Sequence, residues 1–150
     1  MITIREFNQK DAHTTARMVR LTLQTCNAAY YPKRVMRYLM SEYSEKKLID
    51  NMGDKVIFVA SFGTKIVGTA RISKDGWIRG LFVHPNYQGK SIGTKLVHTM
   101  AKTIENQGFD ALRCHSAINA IGFYKKLGFK KVKKVVFDKA GETYRMYLRL

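Results

Sequence analysis

Long hydrophobic runs are missing from this sequence: no apolar stretch is long enough to cross a bilayer, and no secretory signal peptide is visible. A soluble, cytoplasmic protein with no membrane partner is the expectation. Cysteine is scarce. Cys26 and Cys114 stand far apart and outside any C-x-x-C or H-E-x-x-H context, which points to two reduced thiols rather than a bridge or a metal site. Cys114 and His115 are neighbours on a predicted strand and face opposite ways, which argues against a local catalytic dyad. Acidic residues are the third shortage, with 11 Asp and Glu against 27 Lys and Arg and a formal net charge of +16. Such a chain attracts polyanions: nucleic acid, an acidic protein surface, anionic lipid, or the phosphates of a cofactor. A solvated lysine-rich face accounts for the same counts. Repeats, linkers and low-complexity tracts are absent, so residues 1–150 are expected to form one domain with a real core.

What is present is clear periodicity. Ile2 to Phe7 alternates as a first strand, and Asn8 to Asp11 supplies cap residues and an early carboxylate for a helix through about Asn27. Met18, Leu21 and either Thr25 or Cys26 are expected to face the core. Pro32 starts a second helical region with Val35, Met36 and Leu39 at apolar spacing, and Ser44 can cap a short helix ending before Gly53. Tyr30, Tyr31, Tyr38 and Tyr43 concentrate here, either as amphipathic packing or as a pocket wall. Lys55 to Phe62 and Ile66 to Ser73 form a hairpin, followed by a strand from Trp77 to Val83. After a loop, Ile92, Leu96, Val97, Met100, Ala101 and Ile104 share one helical face. Gly108 ends that helix, Asp110 to His115 is a short strand, and Ile118 to Leu127 is a helix stopped by Gly128. Phe129 to Phe137 and Thr143 to Leu150 close the chain as strands.

The central stretch is Leu81 to Val97, LFVHPNYQGKSIGTKLV. Strand, glycine-bearing loop and helix N-terminus follow one another, which aims unpaired backbone N–H groups and the positive end of a helix dipole at one spot. A phosphate or pyrophosphate suits it. The loop is not a P-loop, because His84 stands where that motif needs its first glycine, and it offers too few glycines for a Rossmann turn. An ordinary strand-to-helix turn is the remaining reading from geometry alone.

The string V-H-P-N-Y-Q-G-K-S-I-G-T-K-L resembles the acetyl-CoA signature of the GCN5-related N-acetyltransferases, Q/R-x-x-G-x-G/A. Gln88 takes the first position and Gly93 the last, while Ser91 replaces the middle glycine. Serine suits that place if its φ is ordinary, with its hydroxyl available to cap the helix. A second segment, N-A-I-G-F-Y-K-K-L-G-F from Asn119 to Phe129, is similar to the family's late N-x-x-A-x-x-F-Y-x-K-x-G-F, with Ala117 where its asparagine most often stands. The predicted element order, β-α-α-β-β-β-α-β-α-β-β, also matches. The resemblance implies an α/β (α+β) fold: a mixed central sheet of about seven strands flanked by helices, splayed at the strands before and after the anion-loop helix.

It further implies acetyl-CoA as cosubstrate and transfer of its acetyl group to a primary amine of a small molecule or a protein or peptide, with no metal. Pantetheine would pair with the backbone of Leu81, Phe82 and Val83. The loop residues Gln88, Gly89, Lys90, Ser91, Ile92, Gly93 and Thr94 would hold the pyrophosphate, and the Val83 N–H would serve the thioester oxygen. Asn119, Phe123 and Tyr124 would complete the cofactor contacts. Tyr124 matches the general acid that protonates the leaving thiolate; an ordinary tyrosine pKa of about 10 keeps it protonated while waiting. Its bland reading is a core tyrosine beside Phe123. Lys125 to Lys134 could meet the adenosine 3′-phosphate or simply be solvated. Many relatives carry a carboxylate base on the strand before the loop, where this chain has Arg79 and Gly80. His84 can titrate near neutrality but is expected to pack at the strand end, which leaves a water chain to solvent as the route for the amine's proton. Arg79 could contact an acidic group on the acceptor. The alternative is a catalytically silent module of the same fold that binds RNA or an acidic partner through its basic surface. Nucleic acid is thus admitted but not favoured, and a homodimer through the terminal strands is open.

Overall fold

A computed structural model describes residues 1–150. Seven strands form one sheet: β1 (Ile2–Glu6), β2 (Lys55–Phe62), β3 (Lys65–Ser73), β4 (Trp77–Val83), β5 (Ala111–Ala117), β6 (Lys130–Phe137) and β7 (Gly141–Arg149), in spatial order β1-β2-β3-β4-β5-β7-β6. Only β4 and β5 run parallel. The β-branched runs of β2 and β3 are buried on both faces, so they are central. The lysine-rich β6 is exposed along nearly its whole length and forms an edge, where charge discourages pairing with another chain.

Five helices cover the sheet unequally. On one face lie α4 (Ile92–Glu105) and α5 (Ile121–Lys126), burying Ile92, Leu96, Met100 and Ile104 against Phe58, Ile72, Leu112 and Met146. On the other lie α1 (Ala12–Thr22), α2 (Lys33–Glu42) and α3 (Glu45–Asp50), whose core of Val19, Leu23, Val35 and Leu48 rests on Ile57, Val59 and Ile66 of the first strands. This second core thins out beyond β4. Across β5, β7 and β6 the helical layer reaches the same face only at one end, where Ala117 packs on this core, Tyr31 and Val35 meet Gly141, and Tyr31 and Arg34 donate to Glu142 O and Asp138 O.

Local chemistry explains the helix ends. The Asn8 side chain accepts from Lys10 N at 3.0 Å, and Asp11 accepts from Asn8 N at 2.8 Å while gripping Arg5 at 2.8 and 2.9 Å. The Ser44 hydroxyl accepts from Lys47 N at 3.2 Å. The first helix reaches Asn27 as expected but widens into a π turn over Leu23–Asn27, closed by Ala28 N to Leu23 O at 3.1 Å. Its phase differs from the sequence reading: Val19 and Leu23 are fully buried, whereas Leu21 is 43% exposed. The segment after β5 also divides, into a 3₁₀ turn over Ile118–Ala120 and then α5, and β7 begins at Gly141, ahead of Thr143.

β3 and β4 slip register. Arg71 lies opposite Gly80 and Ile72 opposite Ile78, so Arg79 is an extra residue in β4, a β-bulge.

Candidate functional site

β4 and β5 pair only at Trp77 with Arg113 and Ile78 with Cys114, then part. Beyond that point β4 has a strand partner on one side alone. The His84 N–H donates to Val67 O at 2.8 Å, so by antiparallel alternation the Leu81 and Val83 N–H groups point the other way, into the gap. Backbone donors and acceptors facing such a gap call for a partner.

The loop at the mouth of this gap begins with a single 3₁₀ turn, Pro85–Tyr87. His84 is buried, accepts from Asn86 N at 3.1 Å through Nδ1, and meets Tyr87 edge-on at 5.4 Å. Burial, and then Lys65, lower its pKa. It packs at the strand end, as its neighbour Pro85 implied. Gly89 has φ +76° and Ser91 φ +65°. Ser91 is the one non-glycine residue with positive φ, and its hydroxyl makes no cap to the helix. The expectation of an ordinary φ and a capping hydroxyl is therefore corrected: the middle position of this loop needs the left-handed conformation, which is why glycine suits it. Ile92, Gly93 and Thr94 follow as the first turn of α4, with N–H groups lacking intrahelical partners. Lys90 reaches back over the Tyr87 ring, 6.0 Å from its centroid.

Gly93 is buried where α4 meets α5. A Cβ there would stand 3.0 Å from the Phe123 ring and 3.7 Å from Val83. Next to Phe123, Tyr124 is buried, with Phe123 and Phe129 edge-on at 5.2 and 5.0 Å and the Cys114 thiol beside its hydroxyl. Burial first, then Cys114, pushes its pKa well above the ordinary tyrosine value. Cys114 is likewise pushed up by burial, to about 12, so both groups stay protonated at neutral pH. His115 faces the opposite side of the sheet, as alternation required.

The end of α1 stitches the other bank. Gln88 Nε2 donates to Val83 O at 3.0 Å and reaches Cys26 Sγ at 3.4 Å. Asn119 donates to Cys26 O at 3.0 Å and accepts from Asn27 at 3.3 Å. Tyr31 donates to Glu142 O at 2.7 Å and accepts from Ile118 N at 3.0 Å. Gln88 and Asn119, read from sequence as cofactor contacts, thus meet through Cys26, a residue that carried no such signal.

Of the four clustered tyrosines, Tyr31 and Tyr43 are buried and structural, while Tyr30 is 52% exposed. The Tyr43 hydroxyl donates to Arg79 O at the bulge. The buried Arg71 guanidinium stacks on Tyr43 at 4.3 Å and donates to Arg79 O at 3.1 Å and Glu42 O at 3.2 Å. Gly80 is obligatory here, because a Cβ would fall 1.8 Å from the Tyr43 hydroxyl oxygen. Neither Tyr43 nor Arg71 was singled out for this role, and no local pattern marks it. The lysines from Lys125 to Lys134 do not converge. By their pairing, Lys130 and Lys133 share one face of β6, Lys131 and Lys134 the other, and Lys125 and Lys126 end α5.

The family model for the acetyltransferase (GNAT) domain matches residues 24–150. The chain belongs to the GNAT family. Among curated relatives, the uncharacterized N-acetyltransferase ycf52 of Porphyra purpurea is 24% identical over 112 residues, 72% of this chain and 62% of that protein. N-alpha-acetyltransferase 30 of Schizosaccharomyces pombe is 26% identical over 129 residues, 79% of this chain and 74% of that protein. This chain spans 62% of the length of the ycf52 proteins of Porphyra purpurea and Pyropia yezoensis. A GCN5-related N-acetyltransferase from Rhodopseudomonas palustris superposes with TM-score 0.91 at 22% identity, covering 99% of this chain and 95% of the other. The PaiA N-acetyltransferase of Thermoplasma acidophilum, solved with coenzyme A, gives 0.83 at 23%, covering 100% and 99%. These likenesses establish the GNAT fold, with its mixed seven-stranded sheet and flanking helices.

Proposed function

We propose that this GNAT domain is an acetyl-CoA-dependent N-acetyltransferase acting on a primary amine. The observation that carries the reading is the parting of β4 from β5 after Ile78 and Cys114, which leaves the Leu81 and Val83 amides unpaired beside the Gln88–Thr94 loop. The residues present fit the cosubstrate. Gly93 leaves bare backbone where a Cβ would press on Phe123, and the first amides of a 14-residue helix converge at the same place.

Acetyl-CoA supplies an activated acetyl thioester. The backbone of Leu81 and Val83 would bond the pantetheine arm as a short added strand, and the Ile92, Gly93 and Thr94 amides would hold the pyrophosphate. The Val83 N–H can donate to the carbonyl oxygen as negative charge develops there. Tyr124, protonated through the physiological range, can donate its hydrogen to the leaving sulfur. A hydroxyl of raised pKa does this by hydrogen bonding more readily than by full release. On β4, Arg79 and Gly80 provide no carboxylate, so the acceptor ammonium loses its proton to solvent water.

Calorimetric titration with acetyl-CoA tests the cosubstrate, with ATP as control. Saturable binding that weakens when Gly93 is replaced by a bulky residue is expected. Absence of binding overturns the reading, and RNA binding without turnover would favour a silent module instead.

A further inference from the structure

The uncovered half of the sheet carries an arrangement that acetyl transfer does not use. Residues of β4, β5 and β7 that alternate away from Ile78, Cys114 and Met146 all point to the face with no helix. Away from the end where Ala117 and Thr143 meet the helical layer, they are Trp77, Arg113, His115, Arg145, Tyr147 and Arg149. His115 stacks on Trp77 at 4.8 Å and 10°. The Arg79 and Arg145 guanidiniums lie over the same indole at 5.5 and 5.3 Å. Phe137 closes the edge of His115 at 4.9 Å. Farther along, Arg113, Arg145 and Arg149 converge with Tyr147 on an open depression of about 410 Å³. On β6, Lys130 and Lys133 pair with Tyr147 and Arg145 and extend the same surface.

None of these four arginines has a salt-bridge partner, although six such bridges exist in the molecule. Asp110 is the one carboxylate at the depression. The indole sits beside Arg79 and Arg145, and none of the four guanidiniums is engaged by a carboxylate of the chain. Unpaired arginines are suited to carboxylates, which they bind through two parallel hydrogen bonds.

The position of this face decides between polyanions. It starts at Trp77, His115 and Arg79, the point where β4 and β5 part, and runs back along β5 toward Ala111. An acceptor whose amine enters the gap from this side and whose chain runs back along β5 lies over Arg145 and then Arg113. His115 to Ala111 is about 13 Å of strand, or roughly four residues of an extended peptide. A nucleic acid fits the charge but brings no aliphatic amine to the gap.

We infer that the face formed by Arg79, Arg113, Arg145 and Arg149 around Trp77 docks an acidic peptide segment that follows the acceptor amine. The inference rests on the acetyltransferase reading and names its acceptor class: a protein or peptide amine trailed by Asp or Glu.

The test uses two peptides of equal length with the same amine-bearing end, one continuing with Asp and Glu and the other with Asn and Gln. Transfer is measured as kcat/KM, and binding separately by fluorescence anisotropy of labelled peptides, with a short single-stranded RNA as competitor. The acidic peptide is expected to exceed the neutral one roughly tenfold at low salt, through KM more than kcat, and the advantage should shrink as salt rises. Arg145→Glu, or Arg113→Glu as an independent variant, is expected to abolish or reverse that preference while acetyl-CoA affinity holds. Equal kcat/KM and equal binding for the two peptides would overturn the inference, as would RNA binding that excludes the acidic peptide. Charge-dependent binding of the acidic peptide with no transfer to either peptide would uphold the face and overturn the acetyltransferase reading instead.

Discussion

The two halves of the sheet differ in what holds them and in what they leave free. β2 and β3 are covered by helices on both faces, and five of the six salt bridges lie in the chain from Arg5 to Lys55. β5 and β7 are covered mainly on one face and β6 is exposed, and residues 76–150 carry 14 Lys and Arg against four Asp and Glu. In the first half acids answer part of the positive charge; in the second nearly all of it is displayed. The seam between them is the parted β4–β5 pair. A half whose cations lack acids is a half shaped for something outside the chain.

The seam can be broken at Gly80. A Cβ placed 1.8 Å from the Tyr43 hydroxyl must displace either the bulge or the buried Tyr43 ring, so Gly80→Ala is expected to cost about 3 kcal/mol in chemical denaturation and to abolish turnover. Tyr124→Phe should separate chemistry from fold. Turnover is expected to fall about a hundredfold with acetyl-CoA affinity preserved, because the role proposed for the hydroxyl begins only as the thiolate leaves. In the parent protein Tyr124 should produce no fall in rate up to about pH 10, its pKa lying above the ordinary value, and the rate should rise with pH as the acceptor amine deprotonates. A break assigned to Tyr124 below pH 9 would contradict its burial.

In the covered half, Asp11→Asn should lower stability by about 1 kcal/mol without altering peptide preference. The Arg5 hydrogen bond, more than any other influence, holds the Asp11 pKa below the ordinary carboxylate value. Its contribution is therefore complete above that ordinary value and disappears as pH falls through the folded-state value, so the variant should lose less stability than the parent in acid melts. Ser91→Gly is the smallest of these effects and has the opposite sign. Relieving φ +65° should raise stability by up to about 1 kcal/mol in thermal denaturation, and acetyl-CoA should bind at least as tightly.

Much of the covered half was legible. Cap residues and β-branched runs act over a few neighbours, so Asn8, Asp11 and Ser44 could be read directly, as could Gly128 beyond the seam. The course from β4 through the loop into α4 was also legible, because its motif is contiguous. Ser91 misled, since the backbone path through the loop, and not the side chain, sets its φ. Leu21 misled because the π turn and the packing of Val19 and Leu23 fix the phase of α1. The open face was illegible for a different reason. Trp77, His115 and Arg145 lie on three strands, and only the β4–β5 and β5–β7 registers bring them together. The Arg79 bulge likewise follows from Tyr43 and Arg71 pulling on its carbonyl, a contact with no signature in the residues around it.

One consequence of the parted strands concerns time more than shape. The Phe82 and His84 amides are tied into β3, and those hydrogens exchange with solvent deuterium only when the sheet opens. Leu81 and Val83, pointing into the gap, exchange without waiting for that event. Along a single strand, slow and fast hydrogens therefore alternate residue by residue. The fast pair is a built-in clock for occupancy, stopping when something lies in the gap and running again when it leaves.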